Sequence, residues 1–269
     1  MFSLENAPRE SQSGSDLNIF ACIAPIYDWM NLLISFGLIR LWRDRAARYL
    51  ALKAGETGLD LGTGTADLAI AIIQASEPGA HVIAIDKTPE MLERGERKLR
   101  QLALHDRIEL RRGDVTSIDL PDNSVDGCCS AFLVRNLADI PQSFREMRRV
   151  VRPGGQVVCL EVSHPPSNFF RHLFHCYFYT YAPFFGLLLG QRFEAYRYLP
   201  ASLKHFPDAP HLKVMMEECG WSDVCFHHLN GGLVAIHIGT KREARHATAF
   251  DKEGKRYFET NNVRNEGFL

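Results

Sequence analysis

Between Leu59 and Ala69 the chain reads LDLGTGTADLA: an apolar run, two glycines one residue apart, then the start of a helical pattern. A strand that turns into a helix within so few residues constrains a fold strongly, because glycine adopts the required backbone conformations most readily. Alternation of the same kind continues downstream. HVIAID (81–86) reads as a strand and PEMLERGERKLRQL (89–102) as an amphipathic helix with proline in its first turn. Strands follow at 107–111 and 125–133. A helix over 140–151 is expected to end in Pro153-Gly154-Gly155, with Gln156–Val162 as the next strand. The order predicts an α/β protein: an open, mainly parallel sheet with helices on both faces. A helix at 210–220 and strands at 224–229 and 233–240, joined by Asn230-Gly231-Gly232, predict a terminal antiparallel hairpin.

The remaining stretches set the boundaries. Residues 1–17 are polar and expected to be disordered. A single domain is expected over 18–242. It opens with a helical lid at 18–52, interrupted at Pro25 and Gly37, and carries an aromatic-rich insert at 168–200. That insert holds twelve Phe and Tyr residues. Residues 243–269 are charged and patternless, and are expected to form a flexible tail.

Composition narrows the class. A net charge of −1 gives no field for nucleic acid. The cysteine count is odd at seven, with no C-x-x-C pair, so reduced buried thiols are expected, with no zinc site or other metal. The N-terminus has no signal-peptide pattern, and no apolar run is long enough to span a bilayer. A cytoplasmic protein is expected.

A dinucleotide loop wants G-x-G-x-x-G, but Asp67 stands at its third glycine and would face a pyrophosphate, and no Gly-Lys-Ser/Thr follows for a Walker loop. The pattern D-x-G-x-G-x-A, Asp60 to Ala66, instead resembles the first motif of class I S-adenosylmethionine-dependent methyltransferases. That resemblance implies S-adenosylmethionine as methyl donor, held by Asp60, Gly62, Thr63 and Gly64. Carboxylates near its cationic sulfonium and amino groups are favourable. Asp86, ending the second strand, is placed to accept two ribose hydroxyls. Asp114 and Val115, after the third strand, are placed for adenine.

Further stretches are similar to the ubiquinone/menaquinone biosynthesis C-methyltransferases. They are YDWMNLLISFGLIRLWR (27–43), Val134-Arg135-Asn136, RVVRPGGQVVCLEVS (149–163), the run Tyr196 to Pro207, and GGLVAIHIGTK (231–241). The family usually carries His at Arg40, Lys at Arg43, glycine at Ala66 and an aromatic at Asp122. The resemblance implies methyl transfer to a ring carbon of a reduced, prenylated quinol. It favours demethylmenaquinol, with a ubiquinone precursor or another small phenolic or lipid acceptor as alternatives. Ring carbon is a poor nucleophile unless a phenol, of ordinary pKa about 10, is held as phenolate. Arg135 is the expected cation, Asn136 a hydrogen-bonding partner, and Tyr27 a contribution from the lid. Glu161 and Asp139 read equally well as a structural acid and a helix cap. His164 and His237 read as core histidines. The aromatic insert would line a groove for the prenyl tail and touch a membrane surface, or else form a homodimer contact or a dock for other quinone-biosynthesis enzymes.

Overall fold

A computed structural model describes residues 21–167, Leu203, 206–242 and a short strand pair at 249–250 and 256–257. The expected disordered N-terminus and aromatic insert lie outside the described residues. After a 3-10 turn at Ala24–Ile26 come helices α1 (Tyr27–Ile34) and α2 (Leu38–Leu50). Then follow β1 (Thr57–Leu61), α3 (Asp67–Ala75), β2 (His81–Asp86), α4 (Pro89–Gln101), β3 (Ile108–Arg112) and β4 (Val125–Ala131). The chain closes with α5 (Ile140–Val150), β5 (Val151–Val162), α6 (Ala209–Glu218), β6 (Ser222–Leu229) and β7 (Val234–Thr240). Strands β1 to β7 form one sheet in the order β3-β2-β1-β4-β5-β7-β6. β1 to β5 are parallel, and β7 runs antiparallel to both β5 and β6. The chain leaves β1 towards β2 on one side and returns to β4 on the other. That reversal opens a crevice at the carboxyl edge between β1 and β4.

Both faces of the sheet are covered, which is why its strands read as nearly continuous apolar runs. On one face Leu59, Leu61, Cys128 and Val157 meet Phe144 and Met147 of α5 and Leu212 and Met216 of α6. On the other, Cys129, Val158, Leu160 and Ile236 meet α2 and α3. Helix α3 is buried from Leu68 through Ile73, because α2 packs on its outer side through Ala46 and Ala47, two small residues that permit close approach. Thus α2 is built into the core, and α1 is the part of the N-terminal stretch that lies over the glycine loop. Gly37, at φ 79°, makes the break between them.

One expected boundary is corrected. Helix α5 ends at Val150, and the chain enters β5 at once, so Pro153-Gly154-Gly155 lies inside a twelve-residue strand rather than closing the helix. A contact from far along the chain makes this possible. The Lys241 ammonium, a buried group, donates to the carbonyls of Arg148 (2.6 Å) and Val151 (2.7 Å) and to Asn123 Oδ1 (2.7 Å). Its backbone meanwhile pairs with Gly154 and Gly155. Within 243–269, where no pattern was expected, β8 (Ala249–Phe250) pairs with β9 (Arg256–Tyr257).

Replacing Lys241 by methionine keeps the bulk and leaves those carbonyls without a donor. The expected loss is about 3 kcal/mol of stability, measured by denaturant unfolding. An unchanged midpoint would mean that the lysine does not hold this joint.

Candidate active site

The turn from β1 into α3 uses three residues with positive φ: Gly62 (65°), Gly64 (55°) and Ala66 (69°). Gly62 is also sterically required, since a Cβ there would stand 2.5 Å from Leu133 Cδ1, just beyond β4. Ala66 takes the strained conformation that glycine adopts freely, at a cost of about 1 kcal/mol. Its methyl is accommodated because Gly95 of α4 faces it.

Acidic side chains converge on this turn. Asp60 is wholly buried; its Oδ2 accepts from the Thr63 hydroxyl at 2.6 Å, and its Oδ1 has no partner. Burial pushes its carboxyl up to about 7. Asp86 accepts from the Gly64 N–H and the Thr88 N–H, each at 2.8 Å; burial still outweighs these bonds and raises its pKa. Asp114 accepts from Thr116 through both N–H and hydroxyl, and it pairs with Lys87 at 2.6 Å. Burial alone would raise Asp114, but Lys87 and Thr116 prevail and hold it below the ordinary carboxylate range. Val115 beside it is buried.

Tyr27 of α1 lies over the loop, its Cε1 3.8 Å from where a Cβ on Gly64 would be. The next residue ties the helix down: Asp28 accepts from Thr65 at 2.6 Å and pairs with Lys98 of α4 at 3.0 Å. Lys98 also pairs with Asp67, which pairs in turn with Arg43 of α2 at 2.6 Å. The acid standing where a dinucleotide loop has its third glycine therefore serves an ion cluster joining α1, α2, α3 and α4. Arg43 is one member, so that departure from the family pattern has a structural use. Asp122 has one as well, pairing with Arg149 at 2.8 Å.

Beyond β4, Arg135 is not a free cation. It forms a buried pair with Glu161 of β5 at 2.8 Å, and its guanidinium lies 5.6 Å from the centre of the Phe132 ring. Asn136 Nδ2 donates to the Phe132 carbonyl. Arg135 Nε and Asn136 Oδ1 are buried without partners, a donor and an acceptor on neighbouring residues. Asp139 caps α5 by accepting from Gln142 N–H. His237 bonds the Ala209 carbonyl and is pushed down to about 4 by burial; His164 bonds the Phe206 carbonyl. The structure thus gathers Asp60, Thr63, Gly64, Asp86 and Tyr27 around one loop, with Gly62 touching the turn that carries Arg135 and Asn136. Lys87, Lys98, Asp28 and Phe132 were missed in the sequence. Only Lys87, directly after Asp86, had a visible signal.

The model of the ubiE/COQ5 methyltransferase family matches residues 9–241. The chain belongs to that family. It is 36% identical to the demethylmenaquinone methyltransferase of Bacillus velezensis, over 87% of this chain and all of that one. It is 37% identical to the ubiquinone/menaquinone biosynthesis C-methyltransferase UbiE of a Geobacter species, over 83% and 95% respectively. Among solved structures, an S-adenosylmethionine-dependent methyltransferase from Aquifex aeolicus superposes with a TM-score of 0.57 at 19% identity, covering 80% of this chain and 97% of that one, which places the fold. The protein is an S-adenosylmethionine-dependent methyltransferase. The donor set fits a cationic co-substrate without phosphate: the loop offers a buried carboxylate oxygen in want of a partner, and no lysine follows the glycines.

Asp60 holds its proton up to about pH 7 when folded, and releases it near pH 4 when unfolded. The unfolded chain therefore binds fewer protons across that window, and Asp60 lowers stability as pH rises through it. Asp86 acts in the same direction, while His237 opposes below its unfolded value, so the difference between wild type and Asp60→Asn isolates this one group. That difference in melting temperature is expected to grow in favour of the variant from about pH 4 to about pH 7. A pH-independent difference would show that Asp60 is ionised throughout.

Proposed function

We propose that the protein methylates a ring carbon of a prenylated quinol, demethylmenaquinol in the first place, while visiting the membrane in which such lipids reside. Two relatives named for quinone methylation, matched over 95% or more of their length, support the acceptor class. The observation that carries it is the unpartnered pair on one turn, Arg135 Nε–H and Asn136 Oδ1. A phenol presents a hydroxyl hydrogen and an oxygen lone pair, and this pair offers the matching acceptor and donor. Loss of the phenol proton to solvent raises electron density at the ring carbon, and the Arg135 N–H, which bonds the oxygen more strongly once it is anionic, favours that ionisation.

Bound S-adenosylmethionine supplies the electrophilic methyl group. On this reading Asp60, Thr63, Gly64 and Asp86 hold the donor at the ends of β1 and β2, with Gly62 giving the loop its close approach. Asp114 and Val115 flank the adenine, where Lys87 would share Asp114. Tyr27 closes over Gly64 and limits water at the reacting atoms. Glu161 holds Arg135 in place. The ring carbon gains the methyl and its displaced proton leaves to solvent.

The test offers purified protein labelled S-adenosylmethionine with reduced demethylmenaquinone and, separately, the reduced methoxybenzoquinone precursor of ubiquinone. Label is expected in the menaquinone-type product. Label only in the other lipid would move the enzyme to the ubiquinone route. Label in neither, with the donor still bound, would refute the acceptor. Asn136→Ala is expected to lower kcat about a hundredfold with donor affinity unchanged; a loss confined to donor binding would remove Asn136 from the acceptor side.

A further inference from the structure

Helix α1 is apolar on two faces. Its inner face buries Met30, with Tyr27 and Ile34, against Met91 of α4. Its outer face carries Trp29 and Leu33, one turn apart, with Ile26 of the preceding 3-10 turn before them, and all three are exposed. The stripe continues across the corner, where α1 and α2 meet at 94°, through Phe36 and Leu41. Trp29 is 69% exposed, Phe36 65% and Leu41 63%. Among the described residues, only Leu102 and Val214 are large apolar side chains exposed elsewhere, so exposure of this kind is concentrated at one corner.

The backbone there is strained in a telling way. Phe36 has φ 50°, a left-handed conformation that is costly for any residue but glycine. The ring at this strained position is 65% exposed.

The charges on the same element have one predominant sign. Arg40, Arg45 and Arg48 are exposed against a single exposed acid, Asp44, in a chain whose overall net charge is −1. Leu41, Arg45 and Arg48 share one face of α2, with the arginines about 6 Å and about 10 Å further from the corner. Apolar groups at a tip with guanidinium groups a turn or two behind match the depth profile of a lipid interface, where acyl chains lie beneath anionic headgroups. No single helix among the described residues is long and apolar enough to cross a membrane.

We infer that the α1–α2 corner is a membrane-docking element: Trp29, Leu33, Phe36 and Leu41 enter the acyl boundary of an anionic bilayer, and Arg40, Arg45 and Arg48 meet its phosphates. The inference rests on the proposed lipid substrate for its purpose, but its test needs no quinone. The docked helix is the one whose other side carries Tyr27 and Asp28, so the surface that meets lipid and the cover of the cofactor loop are a single rigid piece.

Full-length protein is sedimented with vesicles of phosphatidylcholine alone and of phosphatidylcholine mixed equally with phosphatidylglycerol. Wild type is expected to bind the anionic vesicles more strongly, and less so as salt rises. Phe36→Gly is expected to raise the melting temperature, because glycine relieves the positive φ, yet to weaken vesicle binding about tenfold. A purely structural role would not give those opposite signs. Replacing Arg45 and Arg48 together by glutamine is expected to weaken binding to anionic vesicles by about tenfold or more and to leave binding to neutral vesicles unchanged. Wild type that binds neither vesicle, or variants that bind as wild type does, would overturn the inference. So would a concentration-dependent dimer that Phe36→Gly dissolves, which would assign the corner to a second copy of the chain. Vesicle binding without methyl transfer to any quinol would leave the docking surface standing and sink the substrate reading alone.

Discussion

The site depends on one close approach. β1 must turn into α3 beneath the loop that follows β4, and Leu133 occupies the space that a side chain on residue 62 would need. Glycine at 62 lets the two loops touch, and on the proposed reading that sets the donor loop beside the turn that carries Arg135 and Asn136. In-line transfer needs the reacting groups within contact distance, and such positioning lowers barriers by several kcal/mol, so this steric detail bears directly on rate.

Charge placement follows from the same constraint. Around the turn lie Asp60, Asp67 and, from the end of β2, Asp86, and each is handled differently. Asp67 is neutralised by Arg43 and Lys98, and in being so it anchors α1 and α2. Asp86 takes two backbone N–H donors and so fixes the loop to the end of β2. Asp60 accepts from the Thr63 hydroxyl, but burial outweighs its favourable contacts and keeps the proton on its carboxyl up to about pH 7.

Much of this was legible in the sequence where the signal is local. The strands and helices around the glycine loop follow periods of two and of three to four residues, and they stand where those patterns put them. What sequence could not show was pairing across distance. Pro153-Gly154-Gly155 reads as a break because proline and glycine usually end elements, yet Lys241 holds that segment in a strand from the far end of the chain. Arg135 and Glu161 are likewise 26 residues apart, so an arginine that reads as a free cation is in fact a paired one. In sequence Asp67 shows only that it is hostile to a phosphate; its positive use, a tie between four helices, depends on Lys98 lying a helix away.

The Arg135–Glu161 pair also answers an electrostatic difficulty in the proposed chemistry. A sulfonium donor is a cation, and a second unpaired cation in the same buried crevice would repel it at a cost on the order of 3 kcal/mol. Leaving arginine out would forfeit the strongest available donor to a phenolate. Pairing it with a carboxylate on the adjacent strand keeps the N–H groups and removes the net charge, while the Nε left unpartnered stays directional. On the proposed reading Asp60 and Asp86 lie where the donor is held, burial keeping both easier to protonate than an ordinary carboxylate, and the acceptor side is close to neutral until the quinol ionises. The phenolate that forms is attracted to the methyl-bearing cation across the crevice, which favours ionisation of the quinol beside the donor, and the transfer itself then cancels both charges in a site that Arg135 and Glu161 leave neutral.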